Sequence, residues 1–533
     1  MTASDSRGDA TTRICLAIIV CLVVAYCVTD LVIRPSMYSD SGWGFYGWDA
    51  MRRGATFNYG LVPDPADISR DLPVFMTTWS PGQHLLPGVL ENMGFSLGVA
   101  LAIVATVFSV LGLVGWFALY RAFAFDVRIT MIALLIVACS RFFSLPFSIY
   151  NGGEVLLFGT APWFMLLAWK LRDFRWYAVP ALLAGSVVLF VAKLSGFMLA
   201  VVTIGAASVS DERPWTRRDT PRKLLVAGII VGGMSLALHQ LWLVRGWTAA
   251  PQEPALHLSR LVTHTAYSLS AIAGGAFSPG DLASWLFLRP GREILASIDE
   301  FYFAAAPAAL VVLAFVFWRL RRNHADYLRF FLLIAAGTVV VLVGMWVLGS
   351  KVGLEERHFR PVSLLFLIGF VQACLAYPSR WLRGAFMIAA GLASLYGLVS
   401  FANRSAGNLH NPLGIRGFRH TIADEGALKF LHQIDAAGAH GQGPVVLITS
   451  PEMAAELRHA RLLANQADFQ SIDDLGGQVY RGRVPVLYVV VQKKLVENGK
   501  AQAILRSFVD YAPDKWTSRP LGAFVAFSQG APP

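Results

Sequence analysis

Charge is what this 533-residue sequence has least of. Asp, Glu, Lys and Arg together make up 15% of it, against about a quarter in soluble domains, which excludes an ordinary soluble globule for most of the chain. Cysteine is scarce too. The five present, Cys15, Cys21, Cys27, Cys139 and Cys374, all fall inside apolar runs and read as small hydrophobes, not as a disulfide framework or metal ligands. The C-terminal tail holds no Gly-x-Gly-x-x-Gly and no Walker loop, and the sequence shows no His-x-x-x-His and no Ser-His-Asp pattern, which argues against a nucleotide-binding tail and against zinc-protease and serine-hydrolase chemistry. No repeats or low-complexity tracts appear. The formal net charge of +11 would suit nucleic acid. No nucleic-acid motif accompanies it, however, and the excess sits in loops between apolar runs, where it acts as a topogenic signal.

Long apolar stretches are abundant. The sequence is 55% hydrophobic with a mean hydropathy of +0.53. The runs fall near 14–33, 97–120, 129–147, 155–169, 176–192, 194–210, 223–244, 301–318, 330–349, 362–378 and 384–402, or about eleven spans at roughly 20 residues each. The first is too long for a cleavable signal and reads as an uncleaved anchor. Basic clusters at Arg121–Arg128, Lys170–Arg175, Arg213–Lys223, Arg319–Arg329 and Arg380–Arg383 alternate with the spans. The positive-inside rule puts these and the N-terminus in the cytoplasm, in a plasma (inner) membrane. Segments 34–96, 147–154, 193, 245–300 and 350–361 then face outward, as does the tail.

The tail changes character. Thr421–Ala437 reads as an amphipathic helix with a threonine cap. Segments 444–449 and 484–491 read as buried strands, 492–511 as helical and 524–527 as a last short strand. The division expected is a multi-span membrane region over 1–402 and an extracytoplasmic α/β domain over 403–533, soluble on its own from about residue 410.

Ionisable residues gather at the outer ends of the spans. Asp40 follows the first anchor among aromatics. A carboxylate there suits a base acting on an acceptor hydroxyl, or equally caps a helix starting at Ser41 or Gly42. Glu154 opens the fourth span. Lys193 and Arg141 lie within apolar surroundings, where an ionised group calls for a partner, a function or a nearby interface. The loop Glu355-Glu356-Arg357-His358-Phe359-Arg360 crowds two arginines, two acids and a histidine into one turn, either to bind phosphate or as a self-neutralised cluster. Asp49, Trp79, His84 and His358 are candidate substrate contacts in the same segments.

This layout resembles the membrane glycosyltransferases of the GT-C fold, in the branch holding the aminoarabinose lipid A transferases and protein O-mannosyltransferases. Asp40, Tyr46, Met51-Arg-Arg-Gly54 and Ser80-Pro81-Gly82 stand where that family has an acid, an aromatic, a Met-x-x-Gly-like step and a Pro-Pro-like step. Glu154, Lys193 to Gly196, and Arg357-His-Phe-Arg-Pro361 stand for its second acid, its Lys-x-x-Gly-like turn and its Arg-Tyr-x-x-Pro-like loop. The resemblance implies a mainly α polytopic protein with a small C-terminal α/β domain. It implies transfer of a sugar, with inversion, from a polyprenyl-phosphate donor to a lipid, glycan or protein acceptor. Asp40 and Glu154 would be catalytic, and Lys193, Arg357, Arg360 and Arg141 would bind the donor phosphate. No cofactor is required, though a divalent metal beside Asp40 and Glu154 is allowed. A transporter or flippase, or a non-catalytic binder of lipid-linked glycans, is the alternative.

Overall fold

The fold is that of a computed structural model, which describes residues 3–77, 79–210, 219–246, 258–288, 294–295, 297–347, 354–439, 443–463 and 479–530. Thr78, the basic stretch 213–218 and parts of the 245–300 and 350–361 segments lie outside these. In chain order the elements that matter are α1 (Ala3–Ile33), β1 (Ser36–Met37), α2 (Ser39–Arg52), β2 (Tyr59–Asp64), β3 (Asp67–Phe75), α3 (Gly82–Asn92), α4 (Leu97–Ala122), α5 (Val127–Cys139), α6 (Arg141–Ser144), β4 (Ile149–Tyr150) and α7 (Gly153–Lys170). Then come α8 (Ala178–Ala192), α9 (Leu194–Val209), α10 (Thr220–Leu238), α11 (Leu258–Gly274), α12 (Pro279–Phe287), α13 (Ile298–Leu320), α14 (Ala325–Val347), α15 (Arg360–Leu375) and α16 (Arg380–His410). The tail holds α17 (Glu425–Gly438), β5 (Val445–Ile448), α18 (Pro451–Ala454), β6 (Arg461–Leu462), β7 (Val486–Gln492), β8 (Thr517–Leu521) and β9 (Phe524–Gly530).

Each predicted apolar run is helical where described. Among the described residues, six helices are long and apolar enough to cross a membrane, or seven with the pair α5 and α6, bent by 59°. The chain is therefore a multi-pass membrane protein. The rest of the expected spans are shorter helices. The 176–210 run breaks at Lys193, whose extended backbone (φ −160°) separates α8 from α9. The bend after α5 has a steric counterpart. A Cβ on Gly397 of α16 would lie 2.1 Å from the Cys139 carbonyl oxygen, so only glycine lets α16 cross the break this closely.

The tail is one five-stranded sheet in the order β6-β5-β7-β9-β8. Strands β6, β5 and β7 are parallel, and β9 is antiparallel to β7 and β8. Because side chains alternate across a strand, Val446, Ile448, Tyr488 and Val490 pack on one face against Leu428, Leu431 and Ile434 of α17. Val445, Leu447, Leu487 and Val489 pack on the other against Ile504, Leu505 and Phe508. Both layers are completed from the first outer loop, by Tyr46, Met76 and Trp79 on one face and Ile68 on the other. The hairpin β2–β3 that carries Ile68 lies outside the sequence expectations, as does β8. The predicted threonine cap is corrected. Helix α17 starts at Glu425 and is capped by Asp424, which accepts from Ala427 N at 2.7 Å. Thr421 instead donates to Glu452, at 2.7 Å.

Candidate active site

Two short backbone pairings bring distant ionisable residues together. Strand β1 lies parallel to β4, with Ser36 opposite Ile149 and Met37 opposite Tyr150, and Tyr38 N donates to Tyr150 O at 3.0 Å. Immediately after these strands the chain enters α2 and α7, so Asp40 and Glu154 each sit in a first helical turn, where the helix dipole favours a carboxylate. Tyr38 takes the N-cap position of α2 without a side-chain cap bond. Asp40 is thus not the cap.

Lys193, at the break between α8 and α9, points its ammonium at both Glu154 oxygens, 2.6 Å from each. Arg357, in the single turn before α15, joins this pair to Asp40. Its Nη1 lies 3.0 Å from Asp40 Oδ2 and 3.3 Å from Glu154 Oε1, and its Nη2 donates to Glu355 Oε1 at 3.1 Å. Burial opposes the charge on Arg357, but Glu154, Glu355 and Asp40 outweigh it and raise its pKa above the ordinary value. The Nη1 nitrogen of this guanidinium lies between the Asp40 and Glu154 carboxylates. Among the described residues no three His, Cys, Asp or Glu side chains are grouped as metal ligands. Burial, reinforced by Lys193, pushes His358 down to about 3, so its imidazole is neutral.

Two apolar clefts adjoin this cluster and share Leu157 and Pro361. The first runs between α4, α6, α7 and α15. Its walls include Trp116, Phe142, Phe143 and Phe158, and its polar end is formed by Glu154, Arg357 and Arg360. The second lies between α7, α9, α14 and α15. Its polar groups, Ser195 Oγ, Thr338 Oγ1 and His358 Nδ1, are buried without a hydrogen-bond partner among the described residues. Charge thus marks one cleft and neutral hydroxyl and imidazole groups mark the other.

The remaining predicted residues fall into two sets. Arg360 lines the first cleft over the Phe142 ring, 4.8 Å away, and is held by Glu356 at 3.0 Å. Arg141 is bonded to Ser400 Oγ at 3.2 Å and paired with Asp281, and does not line either cleft. Asp49, Trp79 and His84, expected to meet substrate, are buried packing and bridging residues instead. Asp49 bonds Arg416 at 2.8 and 3.2 Å, and Trp79 belongs to the core shared with the tail. His84 is fully buried, so close under α2 that a Cβ on Gly44 would lie 3.0 Å from its Nδ1, and burial drives it down to about 3. Two residues were not singled out as site residues. Glu356 anchors Arg360 and accepts from Gly280 N at 3.2 Å and from the Tyr302 hydroxyl. Arg404 donates to Ser148 Oγ at 2.9 Å and Ser144 Oγ at 3.3 Å, one helix away from Arg141. Arg404 stands directly after a span, the one signal that could have marked it.

No family model matches the sequence, and no curated protein matches it. Solved structures do resemble the fold. ArnT from Cupriavidus metallidurans, in the apo state and bound to undecaprenyl phosphate, is similar over 96% of this chain and 97% of its own, with 12% identity and a TM-score of 0.50 in both states. The mycobacterial arabinofuranosyltransferase AftD is similar over 97% of this chain and 41% of its own, with 13% identity and a TM-score of 0.48. The chain has the GT-C glycosyltransferase fold expected from its motifs.

Proposed function

We propose that the protein transfers a sugar from a polyprenyl-phosphate donor to an acceptor hydroxyl at the outer face of the membrane. The observation that carries this reading is the Arg357 guanidinium, shared between Asp40 and Glu154 at the charged end of an otherwise apolar cleft. A hydrocarbon chain with a phosphate head has that same polarity. The complex of ArnT with undecaprenyl phosphate supports such a ligand for the fold. The N-terminus lies in the cytoplasm and the tail outside, following the alternation of basic loops.

In this reading the prenyl chain lies in the first cleft, and its phosphate meets Arg357, Arg360 and Lys193, forks and point charge suited to phosphate oxygens. The acceptor oxygen attacks sugar C1 from the side opposite the phosphate. The C1–O bond breaks, the phosphate leaves with the electron pair, and Asp40 takes the acceptor proton, so the configuration at C1 inverts. Arg357 and Lys193 face the charge that builds on the leaving phosphate, where preorganised cations lower the barrier. Glu154 is a positioning residue, since both its oxygens are held by Lys193. A divalent metal is not part of this scheme.

The test is lipid-linked products resolved by mass spectrometry in cells with the gene, without it, and with Asp40→Asn. A glycolipid or prenyl-phosphate sugar should change on deletion and be restored by the wild type alone. Full restoration by Asp40→Asn at equal protein level would end the catalytic assignment.

A further inference from the structure

The Nη1 of Arg357 faces two carboxylates at once. Nη1 is shared by Asp40 at 3.0 Å and Glu154 at 3.3 Å, and Nη2 is given to Glu355 at 3.1 Å. A guanidinium accepts nothing, and Nη1 carries only two N–H groups, both already facing carboxylates, so a phosphate that takes this nitrogen must displace one of them. The three are not equally easy to abandon. Glu154 lies deepest, its side chain 14% exposed, and it keeps Lys193 on both oxygens. Glu355 holds the other edge of the fork, and its side chain is 43% exposed. Asp40 shares the cleft-side nitrogen and is 31% exposed, so water can take over its oxygens. Its one charged partner among the described residues is Arg357. While Oδ2 accepts from Arg357, that lone pair is not free to accept the proton of a hydroxyl.

Resting on the donor reading above, we propose that Arg357 holds Asp40 in the empty protein and gives it up when the donor phosphate arrives. Asp40 Oδ2 then becomes available as a base only in the loaded site. Donor must therefore bind before the acceptor is activated, and one side chain both neutralises the leaving group and sets that order.

The probe is undecaprenyl phosphate itself, titrated against the full-length protein in detergent. Because the Asp40–Arg357 pair competes with the ligand, Asp40→Asn should bind it about two- to fivefold more tightly, the scale of a partly exposed ion pair. Glu355→Gln removes the same charge from the other edge of the fork and should gain less than about twofold. Equal gains in the two variants reduce the effect to general electrostatics and overturn the proposal, as does weaker binding by Asp40→Asn. Arg357→Ala separates this from the parent reading. It should weaken binding at least about tenfold through lost charge-assisted bonds, and binding equal to wild type removes the donor reading and the proposal with it. Should Asp40→Asn not fold, hydrogen exchange on the wild type decides. Undecaprenyl phosphate should slow exchange over 354–360 and speed it over 38–42. Slowing in both segments means that the pair survives donor binding, and the proposal fails.

Discussion

At one end of α2, Asp40 meets Arg357 through a single contact of 3.0 Å, with side chains 31% and 24% exposed. At the other end, Asp49 meets Arg416 through two, of 2.8 and 3.2 Å, with Arg416 wholly buried. Arg416 also takes Glu91 at 3.1 and 2.8 Å and the Ala455 carbonyl at 2.7 Å, so its fork is filled. Burial opposes ionisation at both Asp49 and Arg416. It leaves Asp49 above its ordinary pKa, while the two carboxylates carry Arg416 above its own. The same pair of residue types therefore does two jobs. Where water reaches it and one nitrogen is shared by two carboxylates, the pair can exchange for a ligand. Where it is dry and fully satisfied, it is a bolt between α2 and the tail.

Mutations sharpen that comparison. The largest effect is expected at Asp40. Asp40→Asn should lower sugar transfer by about 10²–10⁴, the usual contribution of a general base, with the thermal midpoint nearly unchanged; a drop below about tenfold would place Asp40 with the bolts. The reverse profile is expected at Arg416. Arg416→Ala leaves Asp49 and Glu91 buried without their partner and should cost about 3–5 kcal/mol of stability, read as loss of folded protein on size-exclusion chromatography in detergent. Unchanged folding there would remove the contrast between the two ends. A milder loss, about 1 kcal/mol, is expected for Asp424→Ala from the lost cap, measured by denaturant titration with transfer chemistry intact.

The smallest effect is in pH, and it belongs to the bolted end. His420 Nε2 bonds Glu456 at 2.9 Å, with Glu452 3.1 Å from Nδ1, and His432 and Arg416 also act on Glu456. Burial would lower His420, but Glu452 and Glu456 raise it from 6.5 to about 8. A folded pKa above the unfolded one means stabilisation that is complete below 6.5 and lost as pH rises through about 8. The thermal midpoint should sag across that window in the wild type and stay flatter in His420→Gln. A slope that survives the substitution would assign it to other groups.

Hydropathy made the helices readable, because a bilayer-length apolar run leaves few alternatives. It showed the break at Lys193 but not the bend after α5, which rests on contacts such as Gly397 against Cys139. Asp40, Glu154, Lys193 and Arg357 stood out because each is an ionisable residue at the edge of an apolar run, and the structure brings those four together. Asp49 stood out for the same reason, yet it is paired with a residue 367 positions away. Nothing local distinguishes a carboxylate that will be bolted from one that will be left open. The shared core of the tail was equally invisible, because Ile68, Tyr46, Met76 and Trp79 complete a sheet more than 350 residues further on. The tail reads as self-contained by pattern, but two of its faces are finished by another part of the chain.

That arrangement has a consequence for how the protein is made. The ribosome delivers Asp40 well before Arg416 and the sheet. Until the tail emerges, the first loop lacks the surface against which Tyr46, Trp79 and Ile68 pack, and Asp49 lacks its arginine. A chain released early, even with most of its membrane helices inserted, would carry an unanchored α2. Maturation of the first outer loop is thereby tied to synthesis of the tail, and a product that stops short of it is left with that loop unpartnered.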